Sequence, residues 1–394
     1  MSQRSLRGHQ RLRLAAPMIG RDPGDEFRAS TPLELFFDLV FVVAVSLAAD
    51  RLHHGLAVGH VGRSIVDYGL VFFAIWWAWM NFTWFASAYD TDDVVFRLFV
   101  FVTMTGALVM AAGIPRAFDD RNYRIAVLGY VIMRIALVTQ WIRAGRADPP
   151  RRRTAYRYAV GITLCQIGWI IAGFISFDRW VLAFAVFATA ELLVPVWAER
   201  AAPTTWHAEH IAERYGLFMI IVLGESVLAA SIAIQSVLTD GGFTGELAAI
   251  AAGGLLTLFT IWWLYFDRPA EHLTTSRVVF LWGYGHYFLL ASAAAVGAGL
   301  SLALQAASEP VELGETGVGL SVAAPVVVFL LGLWVLHVRA SDRPLRRFGA
   351  PVTAALVLAT TLTGIAVLLI GLLLVAYVAF KVVLRLREGR EALT

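Results

Sequence analysis

Between Leu33 and Leu386 the chain is a succession of long apolar runs broken only by short polar joins. A run of about 18 or more such residues is long enough, as a helix, to cross a hydrocarbon core of ~30 Å. Within that core a helix satisfies its own backbone groups without help from a neighbour. The pattern predicts helices over roughly residues 33–51, 65–87, 94–113, 122–143, 154–176, 179–198, 208–237, 244–266, 277–304, 317–340, 346–361 and 363–386. The final stretch, APVTAALVLATTLTGIAVLLIGLLLVAYVAF, reads either as one long tilted helix or as two short ones joined at TTLTG.

Self-similarity decides between those two. FFAIWWAWMNF (Phe72 to Phe82) is echoed by LFTIWWLYFDR (Leu258 to Arg268), 186 residues on. DDVVFRLF from Asp92 matches SRVVFLWG from Ser276 at an offset of 184, and FDLVFVVAVS from Phe37 matches GESVLAASIA from Gly224 at 187. If the halves are equivalent, residues 346–386 hold two helices, as 154–198 do, and the split at TTLTG follows. An even number of helices per half points both halves the same way, related by an axis along the membrane normal. Arginine placement fits this count. The joins RAGRADPPRRRTAYR (Arg143 to Arg157) and VRASDRPLRRF (Val338 to Phe348) are basic, whereas SVLTDGGFTGE and ASEPVELGETG carry no arginine. The positive-inside rule therefore sets both termini in the cytoplasm, against the exception of the outer join PRAFDDRNYR. The expected fold is all-α: a polytopic membrane protein of about twelve transmembrane helices in two parallel six-helix repeats. Residues 1–30 form a cytoplasmic, arginine-rich tail, 31–200 the first repeat and 201–388 the second.

Composition agrees and removes other classes. With 59% hydrophobic and 15% charged residues and a mean hydropathy of +0.69, the chain is too apolar for a soluble domain. The formal charge of +3 is gathered in joins and at the ends, so topology explains it and no nucleic-acid partner is implied. The residues before Thr31 lack a short apolar core followed by a small-residue cleavage site, so the first helix itself directs insertion. One cysteine, Cys165, allows neither an internal disulfide nor a multi-cysteine metal site. The expected partners are the lipid bilayer and a small ion or solute; no cofactor and no metal are called for.

The candidate chemistry is in the acids of the apolar runs. Thr31 before Pro32, with Glu34 three positions after it, has the form of a capping box, which gives Glu34 a local structural role. Asp38 lies one turn deeper among Phe36, Phe37, Leu39 and Val40, beyond any cap. An ionised carboxylate there must face the bundle interior, pair with a cation or be protonated. The repeat aligns Asp38 with Glu225 of IIVLGESVLAA, about 16 Å into the seventh helix and near the midplane. His286 falls at a similar depth in the ninth, as a packed core histidine or a proton-responsive group. Depth pairs Arg97 with Asp38 and Arg134 with Glu191 as counter-charges. Gly216 and Gly224 are expected to permit close helix approach. His207, His210 and Glu213 have a spacing that zinc can use, but first-turn solvated or capping groups explain them more simply. Trp76–Trp77 and Trp262–Trp263 read as packing or interfacial residues. No Walker A, GxSxG, HExxH or paired CxxC sequence is present, which argues against ATP-driven transport by this chain alone and against the common hydrolases.

TPLELFFDLVFVVAVS at the first helix and HIAERYGLFMIIVLGESVLA at the seventh resemble the bacterial low temperature requirement A (LtrA) family of multi-pass membrane proteins, over nearly all of the chain after residue 30. The resemblance implies a link to growth in the cold and no defined activity. A looser similarity, through Phe36-Phe37-Asp38 and the six-plus-six count, is to bacterial relatives of the lysosomal potassium channel family. Three functions fit: a transporter or channel with Asp38, Glu225 and His286 around a central polar site; a membrane-embedded enzyme acting on a lipid; and a structural or regulatory protein whose charges are buried pairs.

Overall fold

The computed structural model describes residues 13–21, 29–174, 177–240, 244–267, 276–338 and 344–391. Most of the arginine-rich tail, residues 1–12 and 22–28, lies outside them, as do residues 241–243 and 339–343 of two of the joins that carry the topology argument.

Among the described residues there are twelve α-helices, with a 3-10 turn at Pro149–Arg151 and a π-helical turn at Trp334–Val338: α1 (Pro32–Ala57), α2 (Val61–Tyr89), α3 (Val94–Asp119), α4 (Arg124–Ala147), α5 (Arg152–Ala172), α6 (Phe177–Glu199), α7 (Ala208–Asp240), α8 (Gly245–Phe266), α9 (Ser276–Ala306), α10 (Glu315–Leu333), α11 (Pro344–Thr360) and α12 (Ala366–Glu391). Ten contain segments long and apolar enough to cross a membrane. The other two are α5, whose first six residues include Arg152, Arg153 and Arg157, and α11, which has 17 residues. The break at TTLTG is present. Thr360, Thr361 and Thr363 each return their hydroxyl to a carbonyl three residues back, at 2.7 Å, and the amides of Thr361 and Thr363 donate to the carbonyls of Leu358 and Thr360 as the helix tightens and ends. Several helices outrun their apolar windows. α1 continues through Asp50, Arg51, His53 and His54 to Ala57, because the backbone ladder needs helical residues and not apolar ones.

The chain divides into two compact units, one of residues 1–41 and 77–211 and the other of 42–76 and 212–394. α1 and α2 each give one part to each unit.

In the first unit α3 packs on α4, α4 on α5 and α5 on α6. The α3–α4 contact is backbone to backbone: a Cβ on Gly129 would lie 2.3 Å from the Met110 nitrogen, and one on Gly106 would lie 2.7 Å from the Gly129 oxygen. In the second unit α8 packs on α12, α9 on α10, and α11 on both α10 and α12. Gly371 and Gly253 bring α12 and α8 together in the same way, a Cβ on Gly371 falling 2.6 Å from the Gly253 oxygen. Without a hydrophobic drive between helices in lipid, such close van der Waals contact holds them together.

The described part of the N-terminal segment is pinned across the helix ends of the first unit. The carbonyls of Arg13 and Leu14 accept from the amides of Val94 and Val95 at 3.0 and 3.2 Å, and the Arg21 amide donates to Ala88 at 3.2 Å. Met18 is fully buried. Asp93 is the hub. It caps α3 through the Phe96 amide (2.8 Å), accepts from the Ala16 amide (2.8 Å) and the Thr91 hydroxyl (2.9 Å), and pairs with Arg143. Burial pushes its carboxyl up, but the Arg143 guanidinium and these donors outweigh it and hold the pKa at about 2, below the ordinary 3.8. A depressed carboxylate stabilises the fold in full above its unfolded pKa, and the contribution is lost as pH falls from there through the folded value. The thermal midpoint of the wild type should therefore drop between about pH 4 and 2 more steeply than that of Asp93→Asn. Parallel pH curves for the two proteins would show that Asp93 carries no such linkage.

Candidate functional site

At the start of α1, Thr31 and Glu34 exchange hydrogen bonds. The Thr31 amide and hydroxyl donate to Glu34 Oε2 at 2.8 and 2.9 Å, and the Glu34 amide donates to Thr31 Oγ1 at 3.2 Å. The other carboxylate oxygen, Oε1, lies 3.3 Å from His210 Nε2, and both side chains are buried. His210 therefore faces an acid of α1. Among the described residues no group of three His, Cys, Asp or Glu side chains converges on a point that a metal ion could occupy. Asp38 is completely buried and accepts from the Trp79 indole N–H at 2.7 Å.

Arg97 does not serve Asp38. It forms a two-pronged pair with Asp92 in the α2–α3 join, at 2.8 Å on both arms, with 42% of its side chain exposed. Depth along a helix had suggested the Asp38 pairing, but the direction of a side chain around its helix is a separate coordinate. Arg97 points toward its own N-terminal join.

Arg134 and Glu191 do meet, at 3.0 Å and nearly free of solvent. The Glu191 carboxylate also accepts from the indoles of Trp77 and Trp169, the latter at 3.2 Å, and from the Tyr130 hydroxyl at 3.1 Å. The Arg134 guanidinium donates to the Tyr130 oxygen and lies 4.5 Å from that ring's centroid. One carboxylate thus collects donors from α2, α4 and α5 onto α6. A pair so thoroughly hydrogen-bonded has its desolvation cost offset in place, as a buried pair requires.

Glu225 sits in different surroundings. It lines a cavity of about 770 Å³ inside the second unit, between α1, α7 and α9. Ser46 of α1 donates to its Oε1. Among the described residues no hydrogen bond reaches Oε2, and no lysine or arginine pairs with the group. From Glu225, Ser46 and Ser226 the cavity extends toward the C-terminal ends of the three helices, past Asp50, His53 and His54 of α1, to Gln305 and Glu309 beside α9. His53 Nε2 and Gln305 Oε1 are 2.8 Å apart, which fixes the two across the wall.

Neither Asp38 nor His286 is among the residues lining this cavity, so the expected three-residue polar site is not assembled there. Asp38 belongs to the first unit. His286 is about 12 Å along α9 from Ala294, the nearest cavity residue on that helix. It is a packed histidine: Nδ1 donates to the Trp282 carbonyl at 2.7 Å, and the rings of Trp282, Tyr215 and Tyr265 surround it at 4.1, 4.9 and 5.8 Å. Among the described residues nothing lies within 4 Å of a Cβ placed on Gly224, and one on Gly216 meets only the Phe266 ring. The tryptophan pairs split. Trp76 and Trp77 are buried, while Trp262 and Trp263 are each 48% exposed, suited to the membrane interface.

Sequence reasoning missed the α1 wall of the cavity. Ser46, Asp50, His53 and His54 follow each other at helical spacings of four, three and one on one stripe. The signal was legible, but ending the helix at residue 51 placed the histidines outside it.

Twelve helices, ten of membrane-crossing length, with ionisable groups held inside them define a multi-pass α-helical membrane protein. The family described as bacterial low temperature requirement A protein (LtrA) matches residues 29–384, and the chain belongs to that family, in agreement with the resemblance of its first and seventh helices. It is also similar to an uncharacterized protein of Rhizobium meliloti (strain 1021), 30% identical over 349 residues, which cover 83% of this chain and 81% of the relative.

Proposed function

We propose that the protein is a transporter or channel for an ion, a proton or a small solute, with Glu225 as the charged group of its path. The observation that carries this reading is the cavity itself: a carboxylate deep in an apolar helix, bonded through one oxygen to Ser46, at the inner end of a space with both polar and apolar walls that runs to the helix ends. An intramembrane acid facing such a space, instead of a dry ion pair, is the usual mark of a substrate or ion pathway. Glu191 and Arg134, by contrast, are assigned to the scaffold. The six-plus-six repeat belongs to the same proposal. It is supported by matching neighbours: α3 with α4 and α9 with α10, α5 with α6 and α11 with α12, and α2, through Trp77, with α6 as α8 is with α12. Cytoplasmic termini on both ends follow from that repeat and from the arginine placement.

The test is flux of protons and alkali cations into liposomes containing the purified protein. Glu225→Gln should fold normally and lose flux, or its pH dependence, by about tenfold or more, because the charge that offsets the ion's desolvation is gone. A folded Glu225→Gln protein with undiminished flux would exclude Glu225 from the path.

A further inference from the structure

The geometry points to a small organic cation, a protonated amine, as the ligand of the Glu225 cavity; this rests on the cavity reading above and narrows it to a substrate class. Size is the first argument. About 770 Å³ lies within the range of small-molecule sites, roughly 300–1,000 Å³, and far exceeds what a bare metal ion fills.

Charge is the second. Among the described residues three carboxylates, Asp50, Glu225 and Glu309, line the cavity, and no lysine or arginine does. Asp50 is partly engaged by Arg51, at 3.7 Å, whereas among the described residues Glu225 at the inner end meets only the Ser46 hydroxyl. Low-dielectric walls carrying one sign of charge concentrate the opposite charge.

Coordination is the third and separates the classes of cation. A calcium or magnesium ion stripped of water asks for about six or more converging oxygens. At Glu225 one carboxylate oxygen is already taken by Ser46, and among the described residues no second and third acidic or histidine side chains converge with it. An ammonium group needs less: one free carboxylate oxygen to accept a charge-assisted hydrogen bond, with hydroxyl and amide oxygens for its other N–H groups. Glu225 Oε2 supplies the first, and the hydroxyl oxygens of Ser46 and Ser226, which line the cavity beside it, can accept from the others. Val45, Val222, Ala229 and Ala298 provide apolar surface for a hydrocarbon body. That mixture of one anion and small apolar side chains suits an amphiphilic amine better than a hydrated inorganic ion.

The experiment is calorimetric titration of the purified protein in nanodiscs with phenethylammonium chloride, and separately with potassium chloride. The wild type is expected to bind the amine at one site per chain. Glu225→Gln should weaken that binding by about tenfold or more, the loss of one charged hydrogen-bond partner. Ala229→Phe leaves every charged group in place and projects a ring into the cavity one helical turn from Glu225, so it should weaken amine binding about tenfold or more. Thermal melts confirm that each variant is folded. Equal amine affinity in wild type and both variants, or displacement of the amine by an equal concentration of potassium, would overturn the assignment. The two readings fail separately. Amine binding without any flux in liposomes keeps the amine site and removes transport. Glu225-dependent ion flux in a protein that binds no amine keeps transport and removes the amine site.

Discussion

Arg134→Met should cost about 3–5 kcal/mol of stability, the range for breaking one side of a buried pair. The guanidinium is 3.0 Å from Glu191 and both side chains are nearly free of solvent, so its loss leaves a carboxylate in the bundle with only neutral donors. Trp77, Tyr130 and Trp169 still donate to that carboxylate and soften the loss without supplying a charge. The double change Arg134→Met with Glu191→Met removes both charges and should recover much of the stability, since a pair replaced by apolar side chains of similar volume is often no worse. Thermal midpoints of the wild type, both single variants and the double give the coupling. Strict additivity would mean that Arg134 and Glu191 do not act as a unit.

Gly129→Leu is the second large effect. The new Cβ would lie 2.3 Å from the Met110 nitrogen and 2.5 Å from the Gly106 oxygen, atoms of the α3 backbone that cannot swing aside as a side chain can. Overpacking usually costs about 1–3 kcal/mol, and here the obstacle is backbone, so the effect should reach or pass the top of that range. Gly224→Ala is the matched control. Among the described residues nothing lies within 4 Å of its Cβ position, so the change should be neutral or stabilise by up to about 1 kcal/mol through helix propensity. Comparable loss of thermal stability in both variants would show that α3 and α4 are not held by this contact.

The helices were legible because lipid imposes one rule on every span, and hydropathy reads that rule directly. The TTLTG break was legible from the second half of the chain by comparison with the first. Glu34 was legible because a capping box is local, three residues wide, and needs no knowledge of neighbours. The pairing of Arg134 with Glu191 followed from depth alone, and the same reasoning failed for Arg97. Depth is one coordinate of two, and only packing fixes the other. His286 illustrates a further limit: its depth resembled that of an ion ligand, while Trp282, Tyr215 and Tyr265 around it come from three helices. His53 was lost for a simpler reason, since polar residues at a helix end read as a join until the backbone ladder is seen to continue.

The binding of the N-terminal segment to Asp93 and Asp148 changes where the folded protein ends. The Gly20 amide lies 3.3 Å from Asp148 Oδ2, the Arg143 guanidinium donates to the Ala16 carbonyl at 2.7 Å, and Met18 is fully enclosed. A chain trimmed at Thr31, the edge that hydropathy draws, would keep every membrane-length helix and still lose a rivet joining the ends of α2, α3 and α4. The first unit is thus closed by residues outside its membrane-length helices, and anything that pulls on residues 13–21, whether a fused domain or a partner, pulls directly on the seam between those helices.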